Sequence, residues 1–291
     1  MTIAPLIGAS TWLWTSPLTT VAAETLLPRI ARLGFRAVEL PLEDPALVDP
    51  RKVRQIAQDH GIAVSVCGAF GPGRDLTNAE ARVREATQDY IVRCLDFAVE
   101  VGAPMFCGPL YAEVGKRRQL PEAARLAEWQ LAVAGIRQAC EAAAARKLRI
   151  AIEPLNRFET DLVHTAADAT RMARDVDHPA VGVMLDSFHM TIEEDNLERA
   201  VRTAGAQLLH VQVSENQRGI PGTGLTDWAT LVRGLRAIDY RGLVVIESFT
   251  PDNRDLAGAV CIWNRRAPDQ DTFAREGLRF LEQQFRSPQA S

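Results

Sequence analysis

Short apolar runs alternate with longer amphipathic segments along the whole chain. The short runs are rich in Val, Ile and Leu, as is typical of parallel strands buried on both faces, and the longer segments have helical periodicity. The eight predicted strands are residues 6–10, 37–40, 63–67, 105–107, 149–153, 181–186, 208–213 and 243–247. This repeated βα order predicts an α/β protein, a (βα)8 TIM barrel, with residues 1–291 in a single domain.

Local signals mark the starts of several helices between these strands. The pattern Thr-x-x-Glu at residues 77–80 and Thr-x-x-Asp at residues 165–168 predicts two capping boxes, each closing a first helical turn. Pro121 suits a first helical turn, and Asp227 suits a helix N-cap. The long segment 250–270, which follows the last predicted strand, is expected to cover part of the barrel mouth.

The composition limits the classes of partner. The 291 residues include 33 Lys and Arg against 37 Asp and Glu, which gives a formal net charge of −4. This balance provides no basic surface for nucleic acid or for an anionic membrane, so we expect a small-molecule substrate. No apolar run approaches the roughly 18 residues of a transmembrane helix, and the first residues lack the pattern of a secretory leader. We therefore expect a cytoplasmic protein.

Polar side chains stand at the ends of four successive predicted strands. Glu153, Asp186 and Glu247 each finish an apolar run, at the ends of the fifth, sixth and eighth predicted strands. Gln212 lies near the end of the seventh. The four positions are 33, 26 and 35 residues apart, about one βα unit each, so their side chains should meet at the C-terminal mouth of the barrel. Three carboxylates in one pocket would repel one another unless a cation lay among them, and oxygen ligands suit Mn²⁺ or Mg²⁺.

An alternative for these acids is that they face outward and pair with Arg or Lys of the surrounding helices. Single strand-end acids often do so, but polar groups that recur in phase on four consecutive strands favour a shared pocket. Glu39 ends the second strand as a fifth acid of this kind. It could hold another ligand or a loop in place, or it could take part directly.

Four longer motifs around these positions resemble one family. They are Glu-Pro-Leu-Asn-Arg-Phe-Glu at residues 153–159, Leu-Asp-Ser-Phe-His-Met-Thr-Ile-Glu-Glu at 185–194, Ser-Glu-Asn-Gln-Arg-Gly-Ile-Pro-Gly-Thr-Gly at 214–224 and Val-Ile-Glu-Ser-Phe at 245–249. Together they resemble the xylose-isomerase-like barrel superfamily, and within it the ketose 3-epimerases of the D-tagatose and D-psicose type. The likeness covers nearly the whole chain.

The resemblance implies a role for each matching residue. Glu153, Asp186 and Glu247 match metal ligands, and the two glutamates also match the acid/base pair of the reaction. The positions that match substrate-binding residues are Glu159, His189 and Arg218. We therefore expect a divalent metal cofactor, Mn²⁺ as first choice with Co²⁺ or Mg²⁺ as alternatives, and a small carbohydrate substrate. The family also implies a homodimer or homotetramer.

Position 212 departs from the epimerase pattern, in which the fourth metal ligand is usually histidine. Hydroxypyruvate isomerase and related enzymes of the superfamily resemble this chain there, since they carry glutamine in a similar His-x-Gln strand. We expect Gln212 to coordinate the metal through its amide oxygen; the alternative is that it only hydrogen-bonds the substrate or a neighbouring carboxylate. His210 faces the same side of the strand one layer deeper, where it could support the site or be a ligand itself.

The predicted function is C3 epimerisation of a ketose through an enediolate. Metal chelation would stabilise this intermediate while one carboxylate removes a proton and a second returns one to the opposite face. Return of the proton to the adjacent carbon would give aldose–ketose isomerisation, as in hydroxypyruvate isomerase, and a 3-oxo-glycoside could lose its aglycone in a lyase reaction. A sugar-binding barrel without turnover is a further alternative, which the presence of both glutamates weakens. Nuclease action is disfavoured by the acidic charge and by the lack of additional His and Asp ligands.

Overall fold

All eight predicted strands are present. The computed structural model describes residues 5–286 of the 291. Within that range the strands are β1 (Leu6–Ser10), β2 (Ala37–Leu42), β3 (Ala63–Gly68), β4 (Met105–Gly108), β5 (Arg149–Ile152), β6 (Val181–Asp186), β7 (Leu208–Val213) and β8 (Leu243–Ile246). Three of them have the predicted bounds, and the other five differ by one or two residues at the C-terminal end.

The strands form one closed parallel barrel in the order of the chain. Each strand pairs with its neighbours in sequence, and β1 closes the ring by pairing with β8, where Leu6 lies opposite Leu243. Closure leaves no sheet edge exposed, and the outward-facing side chains of the strands are covered by helices. The predicted (βα)8 TIM barrel is therefore confirmed, as a single barrel domain.

Helices connect the strands and surround them. Within residues 5–286 they are α1 (Thr20–Arg32), α2 (Pro50–Asp59), α3 (Ala81–Val101), α4 (Glu122–Ala145), α5 (Ala166–Val176), α6 (Ser187–Glu193), α7 (Leu197–Ala204), α8 (Trp228–Ala237), α9 (Arg254–Ala259) and α10 (Gln270–Arg286). The apolar stripe of α10 buries Phe273, Leu278 and Leu281 against the barrel near β1 and β8. None of the helices described between residues 5 and 286 has the length and apolarity needed to cross a membrane.

Two predicted helix starts are confirmed and a third is shifted by one residue. Thr165 accepts the backbone N–H of Asp168, and the Asp168 side chain accepts the N–H of Thr165, which completes the predicted capping box of α5. Asp227 caps α8 by accepting the N–H of Thr230. Pro121 is the N-cap of α4 and not part of its first turn.

The capping box predicted at residues 77–80 is wrong. Helix α3 begins at Ala81, and Glu80 is its N-cap, but the Glu80 side chain accepts no backbone N–H of the described first turn and bonds Arg82 Nε instead. The Thr77 hydroxyl donates instead to Asp75 Oδ1 at 2.7 Å, and it accepts from Lys116 Nζ at 2.5 Å. Lys116 and Asp75 form a largely buried ion pair at 2.9 Å. Because buried polar atoms need hydrogen-bond partners, both side chains bond the Thr77 hydroxyl, which is therefore not available to cap the helix.

The inside of the barrel contains a polar layer. Glu39, Ser65 and His210 are fully buried, and Glu39 lies opposite Ser65 in the register of β2 and β3. Apolar side chains beside this layer are Cys67, Cys107, Ala151 and Met184. Barrels of this kind are usually filled by branched apolar residues, so a buried carboxylate in the layer requires polar partners.

The segment 250–270 lies beside the loop that follows β1. Phe249, just before the segment, and Trp12 have ring centroids 5.7 Å apart. Asn253 Nδ2 donates to the backbone oxygen of Ser16. Because Trp12 and Ser16 both follow the C-terminal end of β1, these contacts place the segment at the barrel mouth, where the sequence predicted it.

Candidate active site

The four predicted metal ligands all lie at the C-terminal ends of β5 to β8. Asp186 is the last residue of β6, and it stands opposite Gln212 of β7 in the strand register. Glu153 and Glu247 come one residue after β5 and β8, and not within them as predicted, although their backbone N–H groups still bond to carbonyls of β4 and β7. All four side chains are buried, so the alternative in which the acids face the outer helices is wrong.

The carboxylates converge on one another and on Arg218. Side-chain atoms of Glu153, Asp186 and His189 all lie within 4.8 Å of one another. Arg218 Nη1 donates to Asp186 Oδ2 at 2.5 Å and to Glu247 Oε2 at 2.8 Å, so its guanidinium joins the ends of β6 and β8. Three carboxylates and one guanidinium leave a formal charge of −2 in this pocket.

Burial and mutual repulsion favour the protonated forms of the two glutamates. Burial raises the pKa of Glu153 well above its usual range, and the Glu247 and Asp186 carboxylates raise it further. Burial also raises the pKa of Glu247 to about 8, a shift that Arg218 opposes and Asp186 increases. A divalent cation among these groups would favour their ionised forms and thereby relieve the repulsion.

The two ends of the Gln212 carboxamide have different surroundings. Its Nε2 donates to Glu39 Oε1 at 2.6 Å. Its Oε1 is buried and has no hydrogen-bond partner among residues 5–286. A buried carbonyl oxygen without a partner is costly, and amide oxygens are good ligands for hard divalent cations. Three carboxylates and one neutral amide oxygen therefore fit an ion such as Mn²⁺ or Mg²⁺.

Two predicted substrate-binding residues, His189 and Glu159, are joined through Asn156. The backbone N–H of Asn156 donates to His189 Nδ1 over 3.1 Å, and its side-chain Nδ2 donates to Glu159 Oε1 over 2.8 Å. On its other side, His189 Nε2 lies 3.7 Å from Glu153 Oε1 and 3.8 Å from Asp186 Oδ2. His189 is thus beside the carboxylates, and the half-buried Glu159 lies next to it.

Aromatic contacts of Arg218 were not predicted from the sequence. The guanidinium carbon lies 4.0 Å from the ring centroid of Phe188 and 5.3 Å from that of Phe249. Each phenylalanine stands two positions after an acid, Asp186 or Glu247, so the signal was a repeated acid-Ser-Phe pattern. Contact with two ring faces restricts the orientation of the cation.

The loop that carries Arg218 is held by Glu215. This buried carboxylate accepts the N–H of Gly222 at 2.6 Å, the N–H of Thr226 at 3.1 Å and Nε1 of Trp228 at 2.7 Å. Burial alone would raise the pKa of Glu215, but these hydrogen bonds hold it below its usual value. Glu215 therefore stabilises the loop in its charged form, and its backbone oxygen also accepts the N–H of Arg218.

The chain is similar to known sugar epimerases. Residues 27–284 match the family described as xylose isomerase-like TIM barrel. The chain is 27% identical over 280 residues to L-ribulose 3-epimerase from Methylomonas sp. (strain DH-1), a match that covers 96% of this chain and 97% of that protein. The crystal structure of D-allulose 3-epimerase from Methylomonas sp. in complex with D-allulose superposes with a TM-score of 0.90 at 26% identity, covering 97% of this chain and 98% of that one. A shorter match, 42% identical over 96 residues, covers 33% of this chain and 37% of 3-dehydro-D-guloside 4-epimerase from Escherichia coli (strain K12).

Proposed function

Because the chain belongs to the xylose isomerase-like TIM barrel family, we propose that it is a metal-dependent sugar epimerase that inverts a carbon next to a ketone. The observation that carries the proposal is the group of three buried carboxylates at the ends of β5, β6 and β8, together with Gln212. This residue lies opposite Asp186 in the strand register, and its buried amide oxygen has no hydrogen-bond partner among residues 5–286. Two relatives are named for 3-epimerisation of L-ribulose and D-allulose, and they support C3 of a ketose as the reacting carbon.

We assign the metal to the four strand-end residues Glu153, Asp186, Gln212 and Glu247. When bound, a divalent cation would draw electron density from the ketone oxygen and make the neighbouring C–H bond more acidic. Donors that are all oxygen favour Mn²⁺, with Co²⁺ or Mg²⁺ as alternatives.

Glu153 and Glu247 would move the proton. One carboxylate takes the proton from C3, and the electron pair of the C–H bond shifts toward the ketone carbon. The other group, in its protonated form, gives a proton to the opposite face of C3, so the configuration inverts. Burial raises the pKa of both glutamates and a bound cation would oppose that shift, so the two effects together would let one glutamate be ionised while the other holds a proton.

His189, Arg218 and Glu159 would orient the substrate. Arg218 uses Nη1 for Asp186 and Glu247, whereas its Nη2 lies 3.4 Å from His189 Nε2. N–H groups of the two side chains thus face one region, where they can donate to a substrate oxygen. Glu159 can accept a hydrogen bond from a sugar hydroxyl beyond them.

A second candidate is epimerisation at C4 of a 3-oxo-glycoside. The observation that favours it is the 42% identity to 3-dehydro-D-guloside 4-epimerase over 33% of this chain. The first step would be the same, since a ketone at C3 acidifies the C4 proton as a ketone at C2 acidifies the C3 proton. Removal of the C2 proton of the same substrate instead would allow the C1–O bond to break and release the aglycone, which is a lyase reaction.

A screen in D2O tests these alternatives together. The Mn²⁺-loaded protein is incubated with ketohexoses, ketopentoses, 3-oxo-glycosides and hydroxypyruvate, and the products are followed by NMR. Deuterium at C3 of an epimerised ketose is the expected result, and deuterium at C4 would support the second candidate. An aldose product would indicate an isomerase, and a released aglycone would indicate a lyase. If none of these compounds exchanges, the epimerase proposal is wrong.

A homodimer or homotetramer and a cytoplasmic location remain predictions. Size-exclusion chromatography with light scattering measures the mass of the assembly and so tests the first. Imaging of a fluorescently tagged chain in cells tests the second.

A further inference from the structure

Glu39 contacts the metal pocket from the opposite side of the barrel. It lies on β2, whereas its two strongest partners, His210 and Gln212, lie on β7, with β1 and β8 between these strands in the closed barrel. Glu39 Oε1 accepts Gln212 Nε2 at 2.6 Å, and Glu39 Oε2 lies 2.6 Å from His210 Nε2. Ser65 Oγ adds a weaker contact to Oε2 at 3.3 Å. All of these side chains are fully buried, so water does not compete for the contacts.

The contact with Glu39 decides which end of the Gln212 carboxamide faces the other acids. An amide side chain can present either its oxygen or its nitrogen to a neighbour, and the hydrogen-bond partners select one orientation. A carboxylate can only accept hydrogen bonds, so Glu39 binds the NH2 group of Gln212. The amide oxygen, Oε1, is then directed away from Glu39. In the reverse orientation, Gln212 Oε1 would face a Glu39 oxygen, and the two would repel each other. The NH2 group, which cannot coordinate a cation, would then face the pocket.

We propose that Glu39 is a positioning residue that makes Gln212 a competent metal ligand. Glu39 Oε1 fixes the Gln212 carboxamide with its oxygen toward the ion. His210 contacts the other Glu39 oxygen, Oε2, and so holds the Glu39 carboxylate in place. Each Glu39 oxygen is engaged by a side chain of β7, which favours a positioning role over direct coordination. This inference rests on the metal site of the proposed function, and it assigns the role that the sequence left open for Glu39.

A double-mutant cycle on metal affinity tests the coupling between the two residues. Mn²⁺ dissociation constants are measured by competition with a chelator for the intact wild-type chain, Glu39→Gln, Gln212→Ala and the double variant. The amide introduced by Glu39→Gln can present either end to Gln212, so the orientation of Gln212 is no longer fixed and Mn²⁺ binding should weaken about 10-fold. In the Gln212→Ala background the same substitution should change the dissociation constant by less than about 2-fold.

Two outcomes would overturn the proposal. Equal weakening by Glu39→Gln in both backgrounds would show that Glu39 acts only through its charge, and unchanged Mn²⁺ affinity in Glu39→Gln would remove it from the site. Ser65→Ala is the matched control, because it removes the weak Glu39 contact without touching Gln212, and it should bind Mn²⁺ as the wild type does. If Glu39→Gln does not fold, Glu39→Asp keeps the charge but shortens the reach to Gln212, and it should weaken binding to a similar extent.

The metal titrations separate this inference from the proposed function because they need no substrate. A wild-type chain that binds Mn²⁺ but exchanges no sugar proton would refute the epimerase and leave the Glu39 result intact. An active epimerase in which the cycle shows no coupling would refute the role of Glu39 alone.

The stoichiometry of Mn²⁺ binding adds a further check, since Glu39, Cys107 and His210 also offer ligand atoms within 4.8 Å of one another. A second Mn²⁺ per chain that is lost in Glu39→Gln would make Glu39 a ligand and overturn the positioning role.

Discussion

The backbone N–H of Asn156 donates a hydrogen bond of 3.1 Å to Nδ1 of His189. This bond uses the lone pair of Nδ1, so a neutral imidazole must carry its proton on Nε2. Burial lowers the pKa of His189, which favours that neutral form. The Nε2–H group then points toward the side of the ring where Glu153 and Asp186 lie. In this tautomer we expect His189 to donate to a substrate oxygen and not to bind the metal.

Replacing His189 should therefore impair turnover more than metal binding. His189→Leu should lower kcat/KM by about 100-fold, the usual effect of losing one preorganised donor, while the Mn²⁺ dissociation constant stays within about 3-fold of wild type. Steady-state kinetics and a chelator-competition titration measure the two quantities. The exposed His60 provides the control variant His60→Leu, which should match wild type in both. A parallel loss of Mn²⁺ affinity would instead make His189 a ligand.

The predictable part of this structure is the part encoded within single βα units. Each strand is an apolar run, and an acid that ends such a run is visible without knowledge of the fold, as with Glu153 and Asp186. The sequence left a supporting and a direct role open for Glu39, and its partners were not predictable, because His210 is 171 positions away and meets Glu39 only when the barrel closes. The capping box at residues 77–80 failed for a similar reason, since Lys116, 39 positions later, engages Thr77.

Removal of the metal should abolish activity reversibly. After exhaustive chelation we expect no proton exchange, and Mn²⁺, Co²⁺ or Mg²⁺ should restore it. The metal should also raise the thermal unfolding midpoint, because a ligand at 100 times its dissociation constant stabilises the folded state by about 2.7 kcal/mol. Calorimetry with and without Mn²⁺ measures this shift, and Asp186→Asn should largely remove it. Full turnover by a preparation shown to be metal-free would exclude the mechanism.

Glu153→Gln and Glu247→Gln should each lose proton transfer, because a neutral amide cannot act as a base. At saturating Mn²⁺ the rate of deuterium exchange from D2O should fall by about 100-fold or more in each variant. NMR of the exchanging carbon gives this rate directly. Glu85→Gln, at an exposed position of α3, should exchange at the wild-type rate. Exchange at that rate in either active-site variant would remove the residue from the acid/base pair.

Glu215 should stabilise the fold in a pH-dependent way. Burial alone would raise the pKa of Glu215, but its hydrogen bonds hold the pKa below the unfolded value, so its contribution is present above about pH 4.3 and is lost as the pH falls through the folded pKa. Glu215→Gln should lower the free energy of unfolding by about 2–3 kcal/mol at pH 7, since bonds to a charged acceptor are lost. Denaturant unfolding of both proteins at pH 7 and pH 3.5 measures the difference, which should shrink at the lower pH. A constant difference would mean that the charge of Glu215 is not what holds the loop.

Gln212→His should change the ranking of metals and not merely the affinity for one of them. Three carboxylates and a divalent cation carry a formal charge of −1, and a neutral amide or a neutral imidazole leaves that total unchanged. The difference lies in the donor atom, since an amide oxygen is harder and a weaker donor than an imidazole nitrogen. We therefore expect the ratio of dissociation constants for Mn²⁺ and Co²⁺ to rise by about 10-fold in the variant, in favour of Co²⁺. Gln55→His, at an exposed glutamine of α2, controls for the added imidazole and should keep the wild-type ratio. If Gln212→His also keeps that ratio, residue 212 lies outside the coordination sphere, and the metal is held by the three carboxylates alone.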